Sequence, residues 1–451
     1  MMSAFKLHTL KQKLWAIVAA SFVARVIMFF ALPNTPSTLA PDEGTYAFLT
    51  KWIGESKPAR EFPSYGQGLY LSGRTMIVPA SLLYRSGFNE LDAVRLVASI
   101  YGLCGLLITI FFTLKIYSQR EASGVQGARN ENLVATLILV FAFMPSHFAW
   151  SNLGLRESAT EFWLITTLIA FFLIFHWNKK ITIPTVSMMV GAIALTFSAR
   201  GQVGWVLGVS LIVYLIFNLK KQNSYFLLPL VLCAIVLGTT LTIGNTANTA
   251  NTSNTSNTSN TSNTSDTSKD VKNLSNALQP LLKAGENVVY KQGVNQLGAA
   301  SVIEAQSCPR ETPSLASTPP TKFDTYFCIA WRAPYMASTF LFRPILGVDV
   351  TSTSSLFAAI ENMIWTAFFV IIFGLLIRKR AISFLNPLLP AIIFLVLYVL
   401  GASAYQGNMG TGFRHKSLIL WAILLVIFAL SWRKPEKSTE ISRSNSQENA
   451  V

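Results

Sequence analysis

Residues 40–46 read APDEGTY and place two adjacent carboxylates, Asp42 and Glu43, directly after the first hydrophobic stretch of the chain. Acids at the point where a helix leaves a bilayer are costly unless they are paired or hydrated, and they tend to mark function. Tyr46 closes the same stretch. The other polar side chains near predicted membrane boundaries are therefore the natural candidates to act together with this pair.

The composition predicts an all-α polytopic membrane protein. Of the 451 residues, 51% are hydrophobic and only 13% are charged, whereas soluble domains carry about 25% charged residues. Several apolar stretches are long enough to cross a bilayer, and we expect about ten transmembrane helices. The net charge of +15 lies in short basic clusters between these stretches. That distribution is typical of membrane proteins and does not indicate nucleic-acid binding.

The predicted spans share an apolar interior and polar ends. They cover residues 14–32, 93–114, 133–148, a fourth stretch ending near 175, 181–197, 203–217, 225–243, 354–377, 382–402 and 417–432. With a cytoplasmic N-terminus, every Lys/Arg cluster falls inside, as the positive-inside rule expects. Residues 326–346 are also apolar enough to enter the membrane. If they spanned it, the later half of the chain would be inverted.

Four regions follow from this topology, in a protein that we expect in a bacterial inner membrane with both termini cytoplasmic. They are a membrane module at 1–243 with an extracytoplasmic loop at 33–92, a long extracytoplasmic loop at 244–353, C-terminal transmembrane helices at 354–432 and a disordered tail at 433–451. The long loop contains an Asn-Thr-Ser repeat within residues 245–268, whose composition predicts a disordered tether. Cys308 and Cys328 share that loop, and outside the cytoplasm we expect a disulfide between them. Span 1 carries no small-residue cleavage site, so we expect it to be retained.

The predicted outer face collects acids and arginines, while the inner loops carry mainly solvated Lys and Arg. Besides the acid pair and Tyr46, this face holds Arg74, Arg156, Glu157, Arg200, Gln202, Arg343, Arg414 and His415. A carboxylate accepts a proton from an attacking hydroxyl, and guanidinium groups match phosphate oxygens through two-point hydrogen bonds. This combination suits transfer of a sugar from a polyprenyl-phosphate donor to an extracytoplasmic acceptor.

These residues also resemble a known family. Arg25 followed by PDEGTYA at 41–47 is similar to the span-1 Arg and the P-D-E-x-x-Y-A signature of GT-C glycosyltransferases, such as protein O-mannosyltransferases and lipid A aminoarabinose transferases. Residues 86–96, SGFNELDAVRL, resemble the family's G-x-x-E-x-A-V-R-L start of span 2. Weaker similarities are Arg156-Glu157 before span 4, Arg200-Gly201 against a K-G-P turn, and FRHK at 413–416. The family's K-P-P element is absent from loop 1, and we expect no counterpart of the soluble C-terminal domain that some members carry, which leaves donor and acceptor open.

The resemblance implies an inverting transfer outside the cytoplasm, with Asp42 as catalytic base. It implies that Glu43 either orients Asp42 or binds the acceptor. Arg74, Arg200 and Arg414 are then candidates for the donor phosphate. Arg25 has either a structural role, paired with an acid such as Glu157, or a functional one.

A divalent cation is a further alternative. Oxygen ligands from Asp42, Glu43 and Glu157 would suit Mg or Mn, although no tight ligand spacing supports such a site. The four histidines are scattered along the chain, which argues against a zinc cluster.

Two other functions remain open from the residues alone. A transporter or flippase for lipid-linked saccharide would show internal repeats and polar residues near the bilayer midplane, whereas the polar residues here gather at one face. A polysaccharide polymerase or ligase would share the topology and the arginine-rich outer loops. The placement of the P-D-E-x-x-Y stretch favours the transferase.

Overall fold

The structure is a computed structural model that describes residues 2–37, 40, 42–58, 61–62, 69–71, 73–122, 131–177, 182–218, 222–243, 322–350, 353–379, 388–405 and 409–431. Every regular element in these ranges is helical, which confirms the all-α fold class. The predicted tether, the C-terminal tail and Cys308 lie outside the described residues, as does the side chain of Cys328. The disulfide therefore stays a prediction.

Helices follow one another through the described residues. The N-terminal part contains α1 (Met2–Ala31), α2 (Asp42–Gly54), α3 (Arg74–Arg85), α4 (Glu90–Ala122), α5 (Glu131–Phe143), α6 (Pro145–Trp150) and α7 (Glu157–Phe172), which a π-helical turn continues (Leu173–Trp177). Next come α8 (Ile183–Ala199), α9 (Gly201–Phe217) and α10 (Gln222–Ile243). The C-terminal part contains α11 (Lys322–Phe342), α12 (Thr353–Lys379), α13 (Leu389–Tyr405) and α14 (Met409–Ser431).

Four helical stretches are long and apolar enough to cross a membrane: His8–Ala31, Glu90–Ser118, Glu157–Phe175 and Ser355–Ile377. Shorter apolar helices accompany them, among them Ile183–Ala199 and Gly201–Phe217. This set is compatible with a multi-pass membrane protein. The count of ten crossings and the sidedness of the loops stay predictions.

Two predicted segments differ from the observed helices. The stretch 133–148, predicted as one span, is divided at Met144 into α5 and α6. Pro145 explains the break, because proline has no N–H to donate and its ring clashes with the preceding turn, so it disfavours a helix interior and is favoured at the first helical position. The outer loop 33–92, predicted as polar connection, contains α2 and α3, which pack on each other and on α4.

Residues 326–346 are helical as far as Phe342, within α11. This helix packs against α13 and α12, so the segment is part of the helical assembly.

Two apolar clusters hold the fold together. The larger one joins most of the long helices and includes Phe141, Tyr214 and Trp365. The smaller one lies under the outer loop and joins α2, α3 and α4 to the turn before α7, with Tyr46 and Met76 among its fully buried side chains. Burying one such side chain stabilises a fold by about 1.5–3 kcal/mol. The stretch with the paired acids is therefore anchored by its own small core.

Candidate functional site

The two adjacent acids have different environments. Glu43 is 0% exposed, and its carboxylate forms a two-point ion pair with Arg95, with Nε–Oε1 at 2.8 Å and Nη2–Oε2 at 3.1 Å. The backbone N–H of Ser37 donates to the same carboxylate at 2.7 Å. Arg95 also donates to the carbonyls of Pro33 and Thr35. Glu43 therefore ties the connection between α1 and α2 to α4, and its oxygens are occupied by protein donors.

Asp42 is the accessible acid of the pair. It is the first residue of α2, where the helix dipole favours a negative charge. Its side chain is 36% exposed, and Arg414 Nη1 lies 3.3 Å from its Oδ2. Because α14 supplies Arg414, this contact joins the first and last helices that reach the site.

A second ion pair lies beside the first and is buried. Arg200 Nη1 donates to Glu157 Oε1 at 3.3 Å, and Arg200 Nη2 contacts the ring Nε2 of His415. Arg200 is the single extended residue between α8 and α9, while Glu157 begins α7. Since a guanidinium only donates, His415 accepts through Nε2 and carries its proton on Nδ1. Three helix ends thus meet at one guanidinium.

Tyr46 shows that the two ion pairs belong to one cluster. It is 1% exposed, and burial raises its pKa to about 12, while the charges of Arg156, Glu157, Asp42 and Arg200 also act on its hydroxyl. These four side chains are therefore its electrostatic neighbours. With that pKa the hydroxyl stays protonated at neutral pH.

The cluster is rich in guanidinium groups. Arg156, Arg200 and Arg414 all act electrostatically on Glu157, and Asp42 supplies a second carboxylate. Three guanidinium groups and two carboxylates therefore lie close together among the described residues. A cluster of this kind attracts an anion, and guanidinium is suited to phosphate.

The remaining predicted site residues lie elsewhere or at the edge. Arg74 begins α3 and lies over the ring of Tyr70, 5.1 Å from its centroid. Gln202 is exposed on α9. Arg343 pairs with Asp349 through hydrogen bonds of 3.0 and 2.5 Å, which hold the pKa of that carboxyl below its usual value. The guanidinium of Arg343 is thus engaged by its own loop.

Sequence reasoning did not foresee a set of buried polar contacts below the cluster. Glu361 accepts from the backbone N–H of Ser146 at 2.6 Å and from Trp365 Nε1 at 2.9 Å. Lys416 Nζ donates to Asn362 Oδ1 at 2.5 Å and to the carbonyl of Arg343 at 2.8 Å. The charged residues were visible in the sequence, but three of the four contacts join residues that are 54, 73 and 215 positions apart.

Arg25 has a different partner from the one expected. Its Nη1 donates to Ser151 Oγ, and its guanidinium lies 5.0 Å from the ring centroid of Phe148. Glu157, named as a candidate partner, pairs with Arg200 instead. Arg25 therefore joins α1 to the turn after α6.

No metal site is evident in the described part of the chain. Among those residues, no group of three or more His, Cys, Asp or Glu could hold a metal ion. Cys104 and Cys233 are both free thiols. A pocket does occur between α4, α5 and α14, lined by Phe112, Phe141 and Trp421 among others. It is apolar and separate from the charged cluster.

Comparison with known proteins returned no match. No protein-family model, no curated protein and no solved structure matches the chain. The functional argument therefore depends on the geometry of the site.

Proposed function

We propose that this chain is an integral membrane glycosyltransferase that moves a sugar from a polyprenyl-phosphate donor to an extracytoplasmic acceptor. One observation carries the proposal. The accessible acid Asp42 lies within hydrogen-bond distance of Arg414, in a cluster that also holds Arg156 and Arg200. A carboxylate that acts as general base and a group that binds the phosphate are the two requirements of this reaction.

The proposed reaction is a single displacement. Asp42 takes the proton of the acceptor hydroxyl, and the hydroxyl oxygen forms a bond to the anomeric carbon of the sugar. The bond between that carbon and the phosphate oxygen breaks, and its electron pair stays on the phosphate. Because attack occurs opposite the leaving group, the configuration inverts, and polyprenyl phosphate leaves with one additional negative charge.

The arginines stabilise that developing charge. Arg200 is held in place from two sides, by Glu157 and by His415, so its position is set before the donor binds. Preorganised charges of this kind act most strongly where water is excluded, and Arg200 is 7% exposed. Arg156 adds a second positive charge near the same carboxylate.

Arg414 exchanges partners during this cycle. In the structure it donates to Oδ2 of Asp42, so that oxygen is engaged. A donor phosphate competes for the same guanidinium, and two-point hydrogen bonds to phosphate oxygens are favourable. Donor binding then releases the acid for the acceptor.

We assign the cluster to the extracytoplasmic side of a bacterial inner membrane. The basic clusters between the predicted spans support this orientation through the positive-inside rule. Cysteines introduced at exposed positions on both sides and labelled with a membrane-impermeant reagent would test it. Glu55, exposed in the outer loop, is the reference position for outside labelling.

The deciding experiment measures sugar transfer in lipid nanodiscs. The full chain is supplied with a panel of polyprenyl-phosphoryl sugars, and release of polyprenyl phosphate is followed for wild type, Asp42→Asn and Glu55→Gln. Glu55 is an acid of the same loop outside the cluster, so its variant is the matched control. We expect release with wild type and the control and loss with Asp42→Asn; equal turnover by Asp42→Asn would remove Asp42 from the role.

Transport of a lipid-linked saccharide is the second candidate function. The buried ionisable groups of the bundle favour it, because Glu361 and Lys416 are 0% and 1% exposed on helices α12 and α14, and such groups often mark transport paths. A flipping assay with a fluorescent polyprenyl-linked sugar in liposomes separates the two functions. Flipping without release of polyprenyl phosphate would favour transport.

A further inference from the structure

Three side chains from three helices form a buried polar group next to the charged cluster. Arg25 of α1 is 3% exposed, His147 of α6 is 2% exposed and Glu161 of α7 is 3% exposed. His147 Nδ1 lies 2.8 Å from Glu161 Oε2. Arg25 uses one nitrogen, Nη1, on Ser151. We refer to Arg25, His147 and Glu161 as the inner triad.

Each member of the inner triad keeps a buried polar atom without a protein partner. These atoms are Nε and Nη2 of Arg25, Nε2 of His147 and Oε1 of Glu161. The Nε–H and one Nη2–H of a guanidinium point in the same direction, so Arg25 presents a complete two-point donor edge. Native structures rarely leave such atoms unsatisfied, and each case calls for an explanation, one of which is a bound water or ligand.

The opposite charges of the triad attract each other but do not meet. Glu161 acts electrostatically on Arg25, yet the described ion pairs join Glu161 to His147 and give Arg25 no carboxylate within 4 Å. At low dielectric, direct contact would be strongly favourable. A group between the two that accepts from Arg25 and donates to Glu161 accounts for both free edges.

We propose that the inner triad is a binding site for a hydroxyl group. A hydroxyl oxygen accepts from the two free donors of Arg25, and its hydrogen is donated to Oε1 of Glu161. A bound anion would be repelled by the carboxylate, and a bound cation by the guanidinium. Water and an alcohol or sugar hydroxyl share the required chemistry.

The surroundings are built for this arrangement. A Cβ at Gly102 would lie 2.6 Å from Ser151 Cβ and 3.1 Å from Arg25 Nη1, so only glycine allows Ser151 and Arg25 to approach here. Glu161 lies one helical turn beyond Glu157 on the same face of α7. The triad is therefore the next polar layer below the cluster that we propose for phosphate. A substrate hydroxyl at the triad depends on the proposed function, whereas bound water does not.

Radiolytic hydroxyl-radical labelling of the full chain in nanodiscs, read by mass spectrometry, tests the site. Radicals generated from bound water modify buried neighbours, so we expect His147 to be labelled despite its burial. Met189 is 0% exposed within the apolar cluster and should stay unlabelled, although methionine is readily oxidised. Labelling of His147 no faster than Met189 would overturn the proposal.

Substitutions of Arg25 and Glu161 test whether the labelling of His147 depends on the unpartnered polar atoms of these two side chains. Arg25→Met with Glu161→Met replaces both by apolar side chains, and His147 labelling should fall to the Met189 level. If that variant does not fold, Glu161→Gln keeps the shape and adds a donor, and labelling should fall in part. Unchanged labelling in a folded variant would contradict the assignment.

Two short isoprenoid ligands distinguish the sources of the hydroxyl. Citronellyl phosphate and citronellyl-phosphoryl hexose are added separately at saturating concentration. Protection of His147 by the hexose compound alone supports a sugar hydroxyl as the ligand, and protection by neither supports resident water. Protection by citronellyl phosphate alone would overturn the assignment to a neutral group. If neither compound binds, the transferase proposal fails while the water-labelled triad stands.

Discussion

Arg414 and Asp42 are separated by 372 residues and meet at 3.3 Å. Helix α14, the last in the described residues, thereby reaches the acid at the start of α2, and its N-terminal part also brings His415 to Arg200. The chemistry proposed for the protein depends on this meeting of α2 and α14.

We expect Asp42→Asn to abolish sugar transfer without unfolding the protein. The side chain is 36% exposed, so its neutralisation costs little stability, whereas loss of a general base typically slows a reaction about 10²- to 10⁴-fold. Turnover and thermal unfolding in nanodiscs measure the two effects. Glu55→Gln should leave both unchanged. A fall in stability matching the fall in turnover would mean that Asp42 acts structurally.

Arg414→Ala should weaken binding of the phosphate donor. A hydrogen bond to a charged group contributes about 1.5–3 kcal/mol, which corresponds to a roughly tenfold to hundredfold rise in Kd. Arg414→Lys should recover part of the loss, because it restores the charge without the two-point geometry. Arg85, which donates to loop carbonyls, supplies the control variant Arg85→Ala. Equal donor affinity in Arg414→Ala and Arg85→Ala would assign Arg414 to anchoring alone.

Glu43→Ala should destabilise the protein strongly. It leaves Arg95, 1% exposed, without its counter-charge, and breaking a buried ion pair costs about 3–5 kcal/mol. The exposed pair Lys51–Glu90, with atoms 3.9 Å apart, provides the contrast, and Glu90→Ala should cost less than about 1 kcal/mol. Unfolding temperatures of Glu43→Ala and Glu90→Ala, measured at one heating rate, show which variant is destabilised more. Similar values for the two variants would show that the buried pair contributes little.

Gly102→Ala should disturb the contact between Arg25 and Ser151. The added methyl carbon would lie 2.6 Å from Ser151 Cβ, and overpacking of a tight interior costs about 1–3 kcal/mol. Gly191 is the matched helical glycine, since a Cβ there meets nothing within 4 Å. Gly191→Ala should be neutral or stabilising by about 0.5–1 kcal/mol. The difference between the two unfolding temperatures checks the prediction.

Tyr46 gives a prediction for alkaline pH. Burial raises its pKa from 10.0 to about 12 in the folded chain, so its contribution to stability is complete below pH 10 and is lost as the pH rises through 12. Tyr46→Phe removes the ionisable group and should lose less stability over this range than wild type. Unfolding measured at intervals from pH 9 upward, about one unit apart, provides the comparison. Parallel curves of stability against pH for wild type and Tyr46→Phe would place the Tyr46 hydroxyl in contact with solvent.

The sequence allowed Asp42, Glu157 and Arg414 to be grouped because a predicted alternation of spans places their segments at one end. The structure brings Asp42 to Arg414 and places Arg414 near Glu157, while the crossings themselves stay a prediction. The individual pairings could not be derived, since they depend on rotations of packed helices. Arg25 illustrates this, because its partner is Ser151 and the expected acid belongs to Arg200.

The different environments of Asp42 and Glu43 also could not be derived from the sequence. Adjacent residues on a helix point about 100° apart, so one of two neighbouring acids faces inward when a helix forms. The outer loop was predicted as irregular connection, and α2 was therefore missed. Pro145, in contrast, was a visible signal for the break between α5 and α6, and its effect was overlooked within an otherwise apolar stretch.

Arg95 has a consequence for how inactive variants are interpreted. Its guanidinium donates hydrogen bonds to the carbonyls of Pro33 and Thr35 and to the carboxylate of Glu43. These contacts fix the start of α2 and therefore the position of the neighbouring Asp42. A random-mutation screen scored only by sugar transfer would return substitutions of Arg95 and of Asp42 as equally inactive. Measuring protein abundance for every inactive clone would distinguish loss of the structural residue Arg95 from loss of the proposed base Asp42.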